Sequence, residues 1–143
     1  MKRLARFIFL FVALTLVCGG VLLWPPDQAL AAPDSRYLDA PGDLLDVAGV
    51  RLNVRDTGRK DAPAVILLHG FGSGLHTFEP WARLLETDHR VIRFDLSGSG
   101  LSGPDPQGVY TDARSMEIIT ALMDRLGVAQ TSVIGHLIGG TCL

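Results

Sequence analysis

Residues 131–140, TSVIGHLIGG, decide the fold of this chain. The first four residues form a short strand-like run, and the segment that follows carries two glycines, Gly135 and Gly139, on either side of a three-residue turn. This spacing is typical of a sharp strand-to-helix turn, in which the flanking residues must be small because they almost touch. In such turns the central residue normally supplies a nucleophile, and here that residue is Leu137, which has no nucleophilic atom.

Two further glycine-rich loops follow predicted strands upstream of this turn. Ala64–Leu68 is a continuous apolar run, typical of a parallel strand buried on both faces, and residues 69–74 (HGFGSG) follow it. Residues 91–94 predict the next strand, which ends at Asp95 and leads into a loop of small residues, 96–102. Three strands therefore each end in a loop that can approach a ligand closely.

The remaining pattern predicts a hairpin and two helices. Apolar and polar residues alternate on both sides of Gly49, which indicates an antiparallel hairpin formed by residues 44–47 and 50–55. A helix is predicted to begin near Thr77, and its apolar face is predicted to consist of Phe78, Trp81, Leu84 and Leu85. A second helix is predicted over residues 111–126, with Gly127 as its stop and a buried stripe of Met116, Ile119, Leu122, Met123 and Leu126. Strands alternating with helices after a hairpin predict an α/β fold.

The N-terminus has the layout of a targeting segment. Three basic residues precede residues 7–24, which carry no charge. The length of this run favours an uncleaved signal anchor over a cleaved signal peptide, although Ala29-Leu30-Ala31 offers a cleavage site. A lipid anchor at Cys18 is less favoured, because no small residue precedes this cysteine.

These features predict three regions and a location. Residues 1–24 are the anchor or signal peptide, residues 25–41 are a linker, and residues 42–143 are one domain. Basic residues stay on the cytoplasmic side, so the domain is predicted to lie on the extracytoplasmic side of the cytoplasmic membrane. Cleavage near Ala31 would instead give a secreted protein.

Composition excludes several classes of function. The 143 residues are 48% hydrophobic with a net charge of −2, which fits a globular chain of one domain. The balance of 13 basic and 15 acidic residues gives no electrostatic case for nucleic acid, which usually needs a clustered basic face, so nucleic acid is not a predicted partner. The four histidines are scattered and form no metal-binding pattern, so neither a metal nor a cofactor is predicted.

The three loops in this order resemble the N-terminal half of the α/β-hydrolase superfamily, in particular its esterase and lipase-like members. The resemblance covers roughly residues 44–140 and rests on the HGFG loop, on Asp95 with its small-residue loop, and on the GHxxGG turn at 135–140. It implies a partial α/β-hydrolase fold with about five of the family's eight strands, preceded by an N-terminal apolar helix.

The resemblance also implies roles for individual residues. The backbone N–H groups of Phe71 and Ile138 would form an oxyanion hole, and Leu137 would occupy the nucleophile position, where serine is expected. The acid and the histidine that follow in the family's chain order lie beyond the residues matched here. The remaining motif residues are assigned structural roles: His69, Gly70, Gly72, Asp95, Gly135, His136 and Gly139.

Two hypotheses about function follow. The first is a membrane-anchored hydrolase of carboxylic esters or similar acyl substrates, inactive as written because it lacks the nucleophile and the later acid and histidine. The alternative is a degenerate or non-catalytic interaction module, or a fragment of a haloperoxidase, lyase or transferase relative. Ser73 and the serines of the second loop are not convincing replacement nucleophiles, because none lies on a strand-to-helix turn. An uncovered strand at residues 131–134 would also favour self-association.

Overall fold

The chain divides into two compact units, Met1–Ala32 and Pro33–Leu143. A computed structural model describes residues 2–23 and 43–136. The first unit contains helix α1 (Lys2–Leu23). The described part of the second unit, residues 43–136, contains five strands and two α-helices. These elements are β1 (Leu44–Val47), β2 (Val50–Gly58), β3 (Ala64–Leu68), α2 (Glu79–Leu85), β4 (Arg90–Phe94), α3 (Asp112–Leu126) and β5 (Thr131–Gly135).

Helix α1 corrects the prediction of a membrane anchor. Its first five positions include three basic residues, so its described charge-free part is limited to residues 7–23. At 1.5 Å per residue this part is about 26 Å long, whereas the hydrocarbon core of a bilayer is about 30 Å thick. Neither α1 nor any helix within residues 43–136 is long and apolar enough to cross a membrane. The predicted anchoring through residues 7–24, and the location at the cytoplasmic membrane derived from it, are therefore wrong.

The second unit is built on one mixed sheet with the strand order β1-β2-β4-β3-β5. Strands β1 and β2 form the predicted hairpin, and β2 also pairs antiparallel with β4. Strand β3 runs parallel to both β4 and β5. The predicted α/β fold, a hairpin followed by parallel strands with crossover helices, is confirmed.

A two-residue turn closes the hairpin. Ala48 and Gly49 both have positive φ values, 49° and 82°. Turns with positive φ at both central residues match the twist of the flanking strands, which is why they are favoured in hairpins of this length. The turn therefore pairs β1 and β2 in one register, with Val47 opposite Val50.

Helix α2 differs from the prediction in its start and in its buried face. A 3₁₀ helix, Leu75–Phe78, comes first and contains Thr77, so this residue is not the cap of α2. A 3₁₀ turn has three residues rather than 3.6, and the face of the helix that follows is therefore rotated. Trp81 and Leu84, predicted to be buried, are 56% and 75% exposed. The buried residues of this region are Leu75, Phe78 and Ala82.

Helix α3 has nearly the predicted bounds. The Thr111 side chain caps it by accepting a hydrogen bond from the Arg114 N–H at 3.3 Å, and Gly127 ends it with a left-handed φ of 65°. The buried stripe is rotated from the predicted one, because Met116 is 44% exposed. The buried residues of α3 are Arg114, Ile118, Ile119 and Leu122.

Apolar side chains cover both faces of the sheet. Residues of α3 pack on one face in a cluster that includes Leu52, Ile66 and Phe94. Residues of α2 and its preceding turn pack on the other face with Val65 and Val91. The sheet is therefore the middle layer of three, and its carboxyl edge remains open for loops.

An ion pair fixes β4 against β2 and α3. The Arg90 guanidinium donates to both carboxylate oxygens of Asp56, at 3.0 and 2.7 Å, and to the Leu126 carbonyl at 3.0 Å. The Lys60 ammonium also contacts Asp56, at 2.6 Å. Burial raises the pKa of Asp56, but the hydrogen bonds from Arg90 and Lys60 outweigh burial and hold the pKa below its ordinary value.

This lowered pKa predicts how stability depends on pH. Because the folded-state pKa of Asp56 lies below its unfolded value of about 3.9, its contribution is complete above that pH and is lost as the pH falls through the folded-state pKa. We expect Asp56→Asn to have a lower free energy of unfolding than the wild type at pH 7, and the gap to narrow below about pH 4. Urea denaturation of both proteins from pH 7 to pH 3 measures the gap. A constant gap would contradict the prediction.

Candidate active site

The carboxyl ends of the three parallel strands meet at one edge of the sheet. In the strand register Leu68 lies opposite both Phe94 and Gly135, the last residues of β4 and β5. The N–H of His136 extends this alignment by donating to the Leu68 carbonyl at 3.1 Å. Ligand sites of open α/β sheets lie outside this edge. The structure therefore brings the loops after β3 and β4 together with residues 135–136, the described start of the third motif, where such a site is expected.

A pocket of about 690 Å³ opens between the loops that follow β3 and β4. It is lined by Phe71, Gly72, Ser73, Gly74, His76, Asp95, Gly98, Ser99, Gly100 and Leu101. Of the predicted site residues, three therefore line one cavity: Phe71, Gly72 and Asp95. Leu137, Ile138 and Gly139 lie outside the described residues. Within residues 2–23 and 43–136 no group of three or more acidic, histidine or cysteine side chains could hold a metal ion.

His69 joins the two loops and has both ring nitrogens engaged. Its ring is buried, at 1% exposure. Nε2 accepts a hydrogen bond from the Leu96 N–H at 2.9 Å, and Nδ1 lies 2.9 Å from the Gly70 carbonyl oxygen. Since Nε2 is the acceptor, Nδ1 carries the proton and donates to Gly70. The neutral ring therefore has no nitrogen left to act as a base in the pocket.

The Asp95 carboxylate links three segments of the chain. Oδ1 accepts from the Leu75 N–H at 2.8 Å. Oδ2 accepts from the Leu101 N–H at 3.0 Å and from the Asn53 side-chain amide at 2.8 Å. Asp95 is only 2% exposed, so these three donors satisfy a carboxylate that water barely reaches.

Asn53 and Ser102 complete this network and were missed as site residues by the sequence analysis. Ser102 Oγ accepts from the Asn53 backbone N–H at 2.9 Å and donates to the Asp95 carbonyl at 2.7 Å. Both side chains are buried. The sequence does show that Asn53 is a polar residue in the middle of β2. In a strand with alternating apolar and polar residues, however, such a residue is expected on the solvent-exposed face.

The loop after β3 is exposed at Phe71 and Gly72. Phe71 is 85% exposed, and Gly72 has a left-handed φ of 69° that favours glycine. Ser73 Oγ donates to the Gly70 carbonyl at 3.0 Å, so this hydroxyl closes the loop. The role of the Phe71 N–H in an oxyanion hole stays a prediction. His136 lies exposed at the end of β5.

Comparison with known proteins identifies the class of protein that this fold and site define. Residues 63–143 match the family model described as the alpha/beta hydrolase fold, and the chain belongs to that family. It is 37% identical over 87 residues to the magnesium-chelatase 30 kDa subunit of Rhodobacter capsulatus, covering 61% of this chain and 31% of that protein. It is 31% identical over 94 residues to epoxide hydrolase 4 of Mus musculus, covering 65% of this chain and 26% of that protein.

Solved structures agree with this assignment. The epoxide hydrolase VrEH1 from Vigna radiata is 29% identical with a TM-score of 0.64, covering 69% of this chain and 32% of that one. The enol-lactonase from Burkholderia xenovorans LB400 is 31% identical with a TM-score of 0.65, covering 69% of this chain and 38% of that one. The chain thus spans about a third of the length of these relatives.

Proposed function

We propose that this chain carries the oxyanion-stabilising part of an α/β-hydrolase site for carboxylic esters or similar acyl compounds, and that Leu137 leaves it without hydrolytic turnover. One observation carries the proposal. His136 donates its N–H to the Leu68 carbonyl at 3.1 Å, and Leu68 directly precedes the loop that begins at His69. The next residue in the chain is Leu137, which lies outside the described residues and which the sequence motif assigns to the nucleophile position.

The chemistry of ester cleavage explains why this substitution matters. A nucleophile attacks the carbonyl carbon, and the negative charge that develops on the carbonyl oxygen is stabilised by preorganised N–H donors. Backbone donors are independent of side-chain type, so Phe71 and Ile138 would retain this role. Leucine offers no lone pair for the attack. We infer that a bound ester is polarised at this site without forming a covalent acyl intermediate.

The hydroxyl groups of Ser73 and Ser102 do not fill the gap. Ser73 Oγ donates to a backbone carbonyl of its own loop. Ser102 is buried and donates to the Asp95 carbonyl. Neither hydrogen bond delivers the hydroxyl proton to a base, which nucleophilic catalysis by serine requires.

Hydrolysis assays of the full chain test this proposal. We expect the rates with p-nitrophenyl acetate and p-nitrophenyl butyrate to equal those measured with the unfolded protein. A fluorophosphonate probe, which labels activated serines, should leave the mass of the chain unchanged. Because relatives include epoxide hydrolases, opening of styrene oxide is measured in parallel, with the same expectation. Saturable turnover that disappears in a Ser73→Ala variant would overturn the proposal, as would labelling of any serine by the probe.

A further inference from the structure

Two arginines are buried side by side on the α2 face of the sheet. Arg93 on β4 lies directly opposite Arg55 on β2 in the strand register, and their exposed fractions are 3% and 9%. Burial lowers the pKa of Arg55, and repulsion from Arg93 lowers it further. Like charges directly opposite each other destabilise a sheet, and buried charges need partners. The positive charge of this pair must therefore be neutralised by nearby carboxylates.

A different carboxylate pairs with each arginine. Asp43 Oδ2 lies 3.5 Å from Arg55 Nε. Glu79, the first residue of α2, accepts a hydrogen bond from Arg93 Nη1 at 2.6 Å. Arg93 Nε is buried and has no hydrogen-bond partner among the described residues. The other oxygen of Glu79 accepts from the exposed Arg83 at 3.1 Å. The neutralisation of Arg93 therefore depends on Glu79.

Helix α2 has few other attachments to the sheet. It is seven residues long, and Ala82 is its buried residue. Leu85 packs partly against the cluster on the same face of the sheet, whereas Trp81 and Leu84 are exposed. A helix of this length is not stable by itself in water, so its contacts with the sheet hold it in place. The Glu79–Arg93 ion pair is therefore a large part of what fixes the start of α2 on β4.

The start of α2 is joined directly to the wall of the pocket. Glu79 follows the 3₁₀ helix Leu75–Phe78, in which His76 lines the pocket. The Leu75 N–H donates to Asp95 Oδ1 at 2.8 Å, on the opposite wall. A shift of α2 away from β4 would therefore strain the hydrogen bond that joins the two walls.

We propose that the Glu79–Arg93 ion pair is an acid-sensitive latch, which holds α2 and the adjoining pocket wall on the sheet while Glu79 is ionised and releases them when it is protonated. Protonation removes the negative charge and leaves Arg93 buried opposite Arg55. Breaking a buried ion pair from one side is costly, because an uncompensated charge remains. The latch concerns the position of the pocket wall, so it is independent of what the pocket binds.

The pH at which the latch opens follows from the charged groups around Glu79. These groups come from α2, from β2 and β4, and from residues next to β1 and β4: Arg83, Arg55, Arg93, Asp43 and Asp95. Hydrogen bonds from Arg93 and Arg83 hold the pKa of Glu79 below its ordinary value in spite of partial burial. The arginines remain protonated, so their charge persists when Glu79 loses its own. Because the unfolded-state pKa of Glu is about 4.3, the latch is closed above that pH and opens as the pH falls through the lower, folded-state pKa.

Hydrogen exchange of the full chain, measured by mass spectrometry at pH 7, tests the latch. In Glu79→Gln we expect the peptides that cover α2 to lose protection about tenfold or more, while β3 keeps its protection. Glu117→Gln is the matched control. Glu117 also contacts a buried arginine, Arg114, at 2.8 Å, but Arg114 pairs with Asp105 as well and so keeps a carboxylate. Protection in this control should equal that of the wild type.

A second variant separates the loss of charge balance from the loss of a contact. Arg93→Met removes the buried charge and retains a long, unbranched side chain, so the double variant Glu79→Gln/Arg93→Met should regain the protection that Glu79→Gln loses. In the wild type, lowering the pH from 7 to about 3.5 should reduce the protection of α2 more than that of β3. Arg93→Met should not show this difference.

Three outcomes would overturn the proposal. The first is wild-type protection of α2 in Glu79→Gln, and the second is a double variant that recovers no protection. The third is a loss of protection in β3 that equals the loss in α2, either in Glu79→Gln or at low pH. This last result would mean that the ion pair stabilises the whole domain and does not act as a latch on α2.

Discussion

Replacing Asp95 with alanine is expected to lower the free energy of unfolding by about 3–5 kcal/mol. The substitution removes the acceptor of three donors: the N–H groups of Leu75 and Leu101 and the side-chain amide of Asn53. A buried donor left without an acceptor costs about 1–3 kcal/mol, and no neighbouring group replaces both carboxylate oxygens. Urea denaturation followed by circular dichroism measures the loss.

Two other variants separate this effect from the loss of a charge. Asp124→Ala removes an exposed carboxylate from α3 and should change the free energy of unfolding by no more than about 0.5 kcal/mol. Asp95→Asn retains one oxygen acceptor but replaces the other with an amide donor, so its loss should be intermediate. A loss below about 1 kcal/mol in Asp95→Ala would mean that the three donors find other partners.

Gly100→Ala is the second substitution with a large expected effect, a loss of about 2–4 kcal/mol. Gly100 has a φ of 53°, in the left-handed region, and a Cβ at this position would overlap the Asp95 carboxylate. The cost therefore combines backbone strain with displacement of a carboxylate that holds two loops together. Thermal and urea denaturation measure the total loss in the free energy of unfolding.

A second glycine supplies the matched control. Gly108 has a similar φ of 67°, but no heavy atom lies within 4 Å of where its Cβ would be. Gly108→Ala should therefore show only the strain of the left-handed backbone, about 1 kcal/mol. If Gly100→Ala and Gly108→Ala lose the same free energy of unfolding, the contact with Asp95 contributes nothing to stability. The hydrogen bonds of Asp95 would then be weaker than their distances indicate.

The strands could be predicted because each carries a local pattern. Ala64–Leu68 is apolar throughout and is buried on both faces, as a central parallel strand requires. The faces of the helices were harder to predict. The 3₁₀ turn before α2 rotates the helix, and Trp81 moves to the surface. In α3, Arg114 is buried because Asp105 accepts its hydrogen bond at 2.7 Å, and a charged residue gives no local sign of such a partner.

The prediction of a membrane anchor failed for a related reason. Residues 7–24 carry no charge, and composition alone made this run a membrane span. The described helix begins at Lys2 and ends at Leu23, so its basic residues occupy part of its length. Whether a helix can cross a bilayer depends on the length of its charge-free part. The sequence pattern did not show that the helix ends at Leu23.

The site was predictable at the level of loops but not of hydrogen bonds. The positions of His69 and Asp95 at strand ends placed them at one edge of the sheet, since carboxyl ends of parallel strands meet there. Their partners could not be read from the sequence. Asn53 is 42 residues from Asp95, and Leu96 is 27 residues from His69, so these bonds exist only once the strand order is known.

The strand order also determines which strand pairs can form first as the chain is synthesised. Strand β2 pairs with β4 rather than with β3. Because β4 begins roughly thirty residues after β2 ends, the β1–β2 hairpin leaves the ribosome well before β4 can pair with it. The parallel pair β3 and β4 is joined by a short crossover and encloses less chain than other long-range contacts of the sheet. Until β4 emerges, one side of the nine-residue strand β2 has no partner, and unpaired strand edges are prone to aggregation during synthesis.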